Sequence, residues 1–160
     1  MRGLIAAVSP EWVIGLDGGI PWRHPGDVRR FKRVTLCTTV IMGRATWESM
    51  PSKLPGRRNV VVTSQPLQRP DPDVDTFRTI EAALATQRTE DLWFVGGTGI
   101  YRAGMSYCDI LDITYVPDRI EDPRAVRFPP IDATMFAPGP RIPHEDEPGL
   151  ERQIWTRIVR

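Results

Sequence analysis

The feature that most restricts the fold of this chain is a recurring junction, in which a short apolar run ends in glycine or a hydroxyl residue and gives way to helical spacing. Residues 39–42 stop at Gly43 before Arg44, Thr46, Trp47 and Met50, and residues 92–95 stop at Gly96 and Gly97 before a segment running through Tyr101. Runs this short suit strands covered on both faces, the setting of a parallel sheet whose crossovers are helices. Residues 4–8 and the β-branched run 60–63 read the same way. Pro25 suits a first helical position, because its φ is already helical and its missing N–H is no loss there. A further helix is expected over residues 80–85. Later the helices cease, and residues 110–116 and 152–159 alternate like antiparallel strands. The pattern predicts an α/β fold with helices on two faces of a mixed, mainly parallel sheet.

At 160 residues the chain is expected to form one domain spanning 1–160. With 41% hydrophobic and 26% charged residues it can bury a core, which excludes wholesale disorder. The net charge of +1 and the lack of an aromatic-basic stripe argue against a nucleic-acid partner. MRGLIAAVSP is too short an apolar run for a membrane span and lacks the layout of a secretion signal, so a cytoplasmic location is expected. Cys37 and Cys108 are too few for a disulfide framework or a cysteine zinc site and read as small buried hydrophobes. The proline-rich, acidic stretch 138–149 reads as a mobile surface loop. His24 and His144 show no metal-ligand spacing and receive no catalytic role.

Three groupings could carry chemistry. Asp27 falls in the first turn of the expected helix, on the face of Phe31 and beside Trp22. An inward carboxylate there suits a ligand with an amidine-like edge, or it simply complements the helix N-terminus. The run Val95, Gly96, Gly97, Thr98, Gly99 could turn backbone N–H groups to a phosphate or make a tight turn, and it lacks the lysine of a P-loop. Gly43, Arg44, Ala45 and Thr46, with Thr63 and Ser64, could line an anion site, and Arg57 and Arg58 follow the LPG turn as a further positive point. These groups recur at strand ends, where open α/β sheets bind ligands.

The motifs LIAAVS, WVIGLDGGIPW, PGDVRRFKRVTL, VIMGRATWESM, LPGRRNVVVTS, WFVGGTGIY and LDITYV occur in this order, and with them nearly the whole chain resembles dihydrofolate reductase of the bacterial chromosomal type. The resemblance implies a three-layer α/β/α domain around an eight-stranded sheet with an antiparallel C-terminal strand. It implies NADPH-dependent reduction of 7,8-dihydrofolate, with hydride passing to pterin C6 and water supplying the N5 proton. Asp27 would be the sole ionisable side chain in the pterin pocket, supported through ordered waters by Thr114 and Trp22. Ile5, Ala6 and Val95 would wall the pterin, Phe31 and Met50 would pack its rings and the aminobenzoyl group, and Val28, Leu36 and Leu54 would line the slot above Arg57. Arg57 would hold the glutamate α-carboxylate.

For the cofactor, the resemblance places Ala7, Ile14 and Ile20 at the nicotinamide. It assigns Gly43, Arg44, Ala45, Thr46, Val95, Gly96, Gly97, Thr98, Gly99, Ile100 and Tyr101 to the nicotinamide and pyrophosphate side. Thr63, Ser64 and Gln65 would lie at the adenosine, with Arg44, Thr63 and Ser64 choosing the 2′-phosphate, and the Gly96–Gly97 peptide would be cis. The loop 9–24 would close over the nicotinamide. Partners would be dihydrofolate and antifolate-type small molecules, and the chain would be a monomer.

This sequence departs from the family in several places. Thr98 and Gly99 stand where a basic residue is common, and Ala45 where histidine is. IEDPRAVRFPP replaces a shorter pattern in the segment that would brace the active-site loop, so an altered brace is expected. His24 and Arg30 replace apolar residues, implying a more polar helix rim. Two other functions fit parts of the pattern: the related pyrimidine reductase of riboflavin biosynthesis, and a nucleotide-binding partner protein without turnover.

Overall fold

The computed structural model describes residues 1–159. Its first strand, β1 (Arg2–Val8), leads through β2 (Val13–Gly15) to α1 (Pro25–Thr35), and β3 (Thr39–Gly43) runs directly into α2 (Arg44–Ser49). There follow β4 (Arg58–Val62), β5 (Asp75–Phe77), α3 (Ile80–Leu84), β6 (Leu92–Phe94) and α4 (Thr98–Gly104), which ends in a 3-10 turn over Met105–Tyr107. The chain finishes with β7 (Ile110–Tyr115), β8 (Val126–Arg127), β9 (Phe136–Pro138), β10 (Ile142–Pro143) and β11 (Glu151–Arg157).

The main sheet has the order β10-β11-β7-β1-β6-β3-β4-β5, with β9 pairing β11 off this path. From β7 to β5 every pairing is parallel, whereas β11 runs antiparallel to β7. Strand alternation divides the core between two faces. Leu4, Ala6, Val8, Ile41, Val60 and Phe94 pack on one side with Ile80, Ala83, Leu84 and Ile100 from α3 and α4. Ile5, Val40, Met42, Val61 and Trp93 pack on the other with Trp47 of α2 and Phe31 and Val34 of α1. Burial on both faces is why these strands read as continuous apolar runs.

The sheet holds nine strands where the resemblance implied eight. The extra count has a local cause: β9 and β10 lie on the same edge of β11, separated by Gly139, Pro140 and Arg141. Proline supplies no N–H to a ladder, so what would be one edge strand is broken in two.

Three expectations about side chains do not hold. Cys37 is exposed; it sits at φ 62° after α1, where its N–H donates to Gly56 O at 2.8 Å, and the left-handed turn sends its thiol outward. Cys108 is buried as expected, and burial pushes its thiol up to about 12. Arg30 does not make a polar rim, because it lies at 4% exposure beneath α1. The stretch 138–149 is tied down, with Glu145 paired to Arg30 and Arg152, Asp146 to Arg33, and Glu147 to His24. The fit is close: a Cβ at Gly26 of α1 would lie 2.5 Å from Asp146 O. Among the described residues no helix is long and apolar enough to cross a membrane.

Candidate active site

The C-terminal ends of the parallel strands bring Ile5, Ala6 and Ala7, Gly43, Thr63, Val95 and Thr114 to one edge of the sheet, and α1 lies across it. Asp27, in the first turn of α1, does more than complement the helix N-terminus. Its Oδ1 accepts from Thr114 Oγ1 at 3.0 Å and lies 3.0 Å from His144 Nε2. Oδ2 takes no donor from any described residue, and the side chain keeps 21% of its surface exposed. The contact with Thr114 is direct, where the resemblance implied a shared water. Asp27 is also not the only ionisable group there, since His144 abuts it.

One turn along α1, Phe31 is half-buried, with the Arg57 guanidinium 5.9 Å from its ring centroid. Arg57 donates to Thr35 Oγ1 at 3.2 Å and to Pro55 O at 3.0 Å. Burial lowers its pKa while leaving it a cation. The turn that presents Arg57 is built by Asn59, a residue the sequence reading passed over. Its buried amide accepts from Leu54 N and donates to Leu54 O and Arg57 O, all within 2.9 Å. Gly56 is required there: it has φ 74°, and a Cβ would sit 2.8 Å from Leu36 Cδ1. Met50 and Leu54 are half-buried, while Ile20, Val28 and Leu36 are exposed apolar side chains. Trp22 is half-buried on the chain entering α1. Beside the turn, a cavity of about 490 Å³ is lined by Thr39, Lys53, Leu54, Arg57 and Arg58 among others.

At the other end, the Gly96–Gly97 peptide is cis, and Gly43 N donates to Gly96 O at 2.9 Å. Tyr101 N donates to Gly97 O, and its hydroxyl to Ile5 O, at 2.9 Å each. Burial raises the Tyr101 pKa, so the ring stays a neutral donor. Added side chains would crowd this corner, where a Cβ at Gly43 would come within 3.3 Å of Ile100 Cγ1. The Arg44 guanidinium forms no hydrogen bond or ion pair with any described residue. Ser64 is exposed, and Thr63 Oγ1 bonds locally to Gln65 N and O. Ala45 and Gly99 are exposed, with open space around Gly99. Two assigned groups are already engaged in the fold: the Thr98 hydroxyl donates to Arg127 O at 2.8 Å, and Tyr101 occupies the Ile5 carbonyl.

The loop 9–24 is braced despite the unusual partner segment. Its β2, which includes Ile14, pairs antiparallel with β8, Val13 opposite Arg127 and Gly15 opposite Val126. Phe128 N donates to Trp12 O, Asp17 pairs with Arg124 at 3.0 Å, and Glu11 accepts from Ile120 N. The insertion thus supplies the bracing strand itself, so the altered brace is still a brace. His24 closes the loop's end, with Nδ1 2.5 Å from Glu147 and Nε2 2.6 Å from Asp118. Burial lowers the His24 pKa, but the hydrogen bonds to Asp118 and Glu147 outweigh it and the net shift is upward.

Behind α1, Arg30 donates to both oxygens of Asp112 at 3.1 and 2.7 Å and to Glu145 at 2.9 Å. Burial raises the Glu145 pKa, but hydrogen bonds from Arg30, its own backbone and Arg152 hold it at about 2. The sequence carried one sign of this network: Arg29, Arg30 and Arg33 on the helix match Glu145, Asp146 and Glu147 far along the chain.

A cleft at the C-terminal edge of a mainly parallel sheet, with a carboxylate at one end and an unpaired arginine beside close-packed glycines at the other, defines an α/β enzyme of two-ligand type. Residues 1–154 match the family model described as dihydrofolate reductase. The chain is 41% identical over 118 residues to the dihydrofolate reductase of Mycobacterium leprae, covering 71% of each. It is 41% identical over 135 residues to that of Neisseria meningitidis serogroup B, covering 83% of this chain and 82% of the relative. Its fold is similar to a dihydrofolate reductase from Enterococcus faecalis complexed with NADP(H) and RAB-propyl, with TM-score 0.87, 28% identity, and 99% and 97% of the two chains covered. The chain belongs to the dihydrofolate reductase family.

Proposed function

We propose that Asp27 is the pterin-binding carboxylate of an NADPH-dependent reductase that converts 7,8-dihydrofolate to 5,6,7,8-tetrahydrofolate. Hydride passes to pterin C6, and N5 takes its proton from water. The observation that carries this reading is the pinned carboxylate: Asp27 Oδ1 is held by Thr114 while Oδ2 takes no donor, which leaves the outer edge of the carboxylate to accept from the 2-amino group and N3–H of a pterin, one donor to each oxygen. Such a pair of parallel donors matches a carboxylate edge-on. Its fixed negative charge favours the protonated state of the ring during reduction. Ile5, Ala6, Val95 and Phe31 form the walls of the pocket, with Met50, Leu54, Val28 and Leu36 along the slot. Arg57, anchored on Thr35, faces the glutamate α-carboxylate. Trp22, near the start of α1, helps order water beside the pterin.

The residues at the other end fit a phosphorylated dinucleotide. Arg44 is an uncommitted guanidinium, and Gly43 and Gly97 keep the approach to the backbone clear. NADPH, when bound, supplies the hydride. Arg44, Thr63 and Ser64 recognise its 2′-phosphate, and Gln65 lies at the adenosine. Ala45, Thr46, Gly96, Thr98, Gly99, Ile100 and Tyr101 line the pyrophosphate and nicotinamide side. Ala7, Ile14 and Ile20 flank the nicotinamide, and closure of the loop 9–24 excludes water.

The chain acts as one domain over 1–160, as a cytoplasmic monomer with no nucleic-acid partner, a reading supported by its near-neutral charge. The test follows loss of reduced-nicotinamide absorbance with dihydrofolate, for NADPH beside NADH, in wild type, Asp27→Asn and Arg44→Ala. The expected result is NADPH-favoured oxidation that Asp27→Asn abolishes, with a preference that Arg44→Ala erodes. Full turnover by Asp27→Asn would overturn the assignment of the carboxylate.

A further inference from the structure

We infer that His144 is a positioning residue for Asp27, its Nε2–H donating to Oδ1 and fixing the carboxylate in the plane that meets the pterin. The inference rests on the reading of Asp27 as the pterin-binding carboxylate. The hydrogen bonds locate the ring proton. His144 Nδ1 accepts from the N–H groups of Asp146 and Glu147, both at 3.1 Å. A nitrogen that accepts from backbone donors carries no proton of its own, so the neutral ring must bear its hydrogen on Nε2, 3.0 Å from Asp27 Oδ1. The His144 side chain is 0% exposed, so water cannot take over the donation.

Rotation of a carboxylate about its last torsion is soft. A single donor, Thr114 Oγ1, would leave Asp27 room to turn; a second donor on the same oxygen, arriving from the opposite end of the chain, removes that freedom. The same segment also grips the backbone beside Asp27, since Glu147 Oε1 accepts from Gly26 N at 2.6 Å. Around His144, the charged groups on its own segment are Glu145, Asp146 and Glu147; α1 contributes Asp27, Arg29, Arg30 and Arg33, the residue before it is His24 with Asp118 on its far side, β7 contributes Asp112, and β11 contributes Arg152. Apart from Asp27, each carboxylate in this set already has a cation: Arg30 for Asp112, Arg30 and Arg152 for Glu145, Arg33 for Asp146 and His24 for Glu147 and Asp118. The single Nε2 proton therefore goes to Asp27.

Two substitutions separate positioning of Asp27 from bracing of the loop. In His144→Asn the amide oxygen can replace Nδ1 as acceptor for the turn, with nothing at the Nε2 position. In His144→Gln the amide nitrogen can reach the Nε2 position and donate, with the turn acceptor lost. Steady-state and single-turnover kinetics are measured against pH, with NADPH affinity measured separately by fluorescence. His144→Asn is expected to raise the dihydrofolate KM about tenfold, as for loss of a hydrogen bond to a charged group, and to displace the pH profile of hydride transfer. His144→Gln is expected to recover most of both, and neither variant changes NADPH affinity.

The reverse order, with Asn resembling wild type, Gln impaired and the profile unmoved, would reduce His144 to a loop brace and overturn the proposal. Asp27→Asn is run in parallel, because if that variant turns over normally the Asp27 reading fails by itself. A second measurement needs no variant to fold: ¹⁵N spectra of the wild-type imidazole should show a neutral ring protonated at Nε2. An Nδ1-protonated or doubly protonated ring would also overturn the proposal.

Discussion

Replacing Arg30 with methionine removes one half of an ion pair that is almost wholly shielded from water. Arg30 is 4% and Asp112 3% exposed, and the two contacts are parallel and bidentate. Methionine fills much of the same volume, so the loss is electrostatic rather than a cavity. Asp112, on the central strand β7, would keep a buried charge with no cation, and Glu145 would lose its Arg30 contact while keeping Arg152. Stranding a buried charge this way costs about 3–5 kcal/mol, a large part of the roughly 5–15 kcal/mol that holds a typical domain together. Asp112→Leu alone should cost less, because Arg30 keeps Glu145, and Arg30→Met with Asp112→Leu should cost far less than the sum, since the pair becomes apolar contact. Urea unfolding of the four proteins gives the coupling energy, provided the slopes agree. Strictly additive losses, or an Arg30→Met loss under about 1 kcal/mol, would show that the pair is not the buried, mutually dependent unit described above.

Asp27→Asn is expected to lose dihydrofolate turnover at neutral pH while binding NADPH nearly as wild type, read by turnover and fluorescence titration; equal loss of both would dissolve the division of the cleft. His24 has its pKa raised above the ordinary 6.5 by Asp118 and Glu147, so its clasp stabilises fully below the unfolded value and fades as pH rises through the folded one. His24→Ala should therefore lower the urea midpoint most on the acid side of that window and little well above it, and a uniform loss would refute the charge assignment. Gly26→Ala would drive a methyl to 2.5 Å from Asp146 O and 2.6 Å from Glu147 Cβ. It should lever the 144–147 segment off α1, seen as faster amide exchange at Asp146 and Glu147 and a higher dihydrofolate KM.

The central strands were legible because each is buried on both faces. Residues such as Val60 and Val61 point to opposite cores, and both are apolar for that reason. Pro25 marked the true start of α1, and Asp27 stood out as a candidate. What decided between its two readings was Thr114, 87 residues away, which no local pattern could bring alongside. His144 was passed over for the same reason in sharper form. Its flanking acids suggest a solvated loop, and only the arginines of α1, more than a hundred residues earlier, turn that loop inward. Arg30 misled because arginine on a helix is usually solvated, and its burial depends on an aspartate on another strand. The bracing segment was placed by the resemblance, but that it braces as a strand was hidden, because a two-residue strand carries no periodicity of its own.

Both free borders of the sheet are poor templates for another chain. On one side β5 offers three residues, with Asp75 paired to Arg58. On the other, the interruption between β9 and β10 places Pro138, Pro140 and Pro143 along the outermost row. An invading strand would meet missing donors at each of these positions and could not extend a continuous ladder. The proline-broken margin, which looks like a defect of the fold, makes this protein resistant to strand-to-strand aggregation at the side where its sheet would otherwise be open.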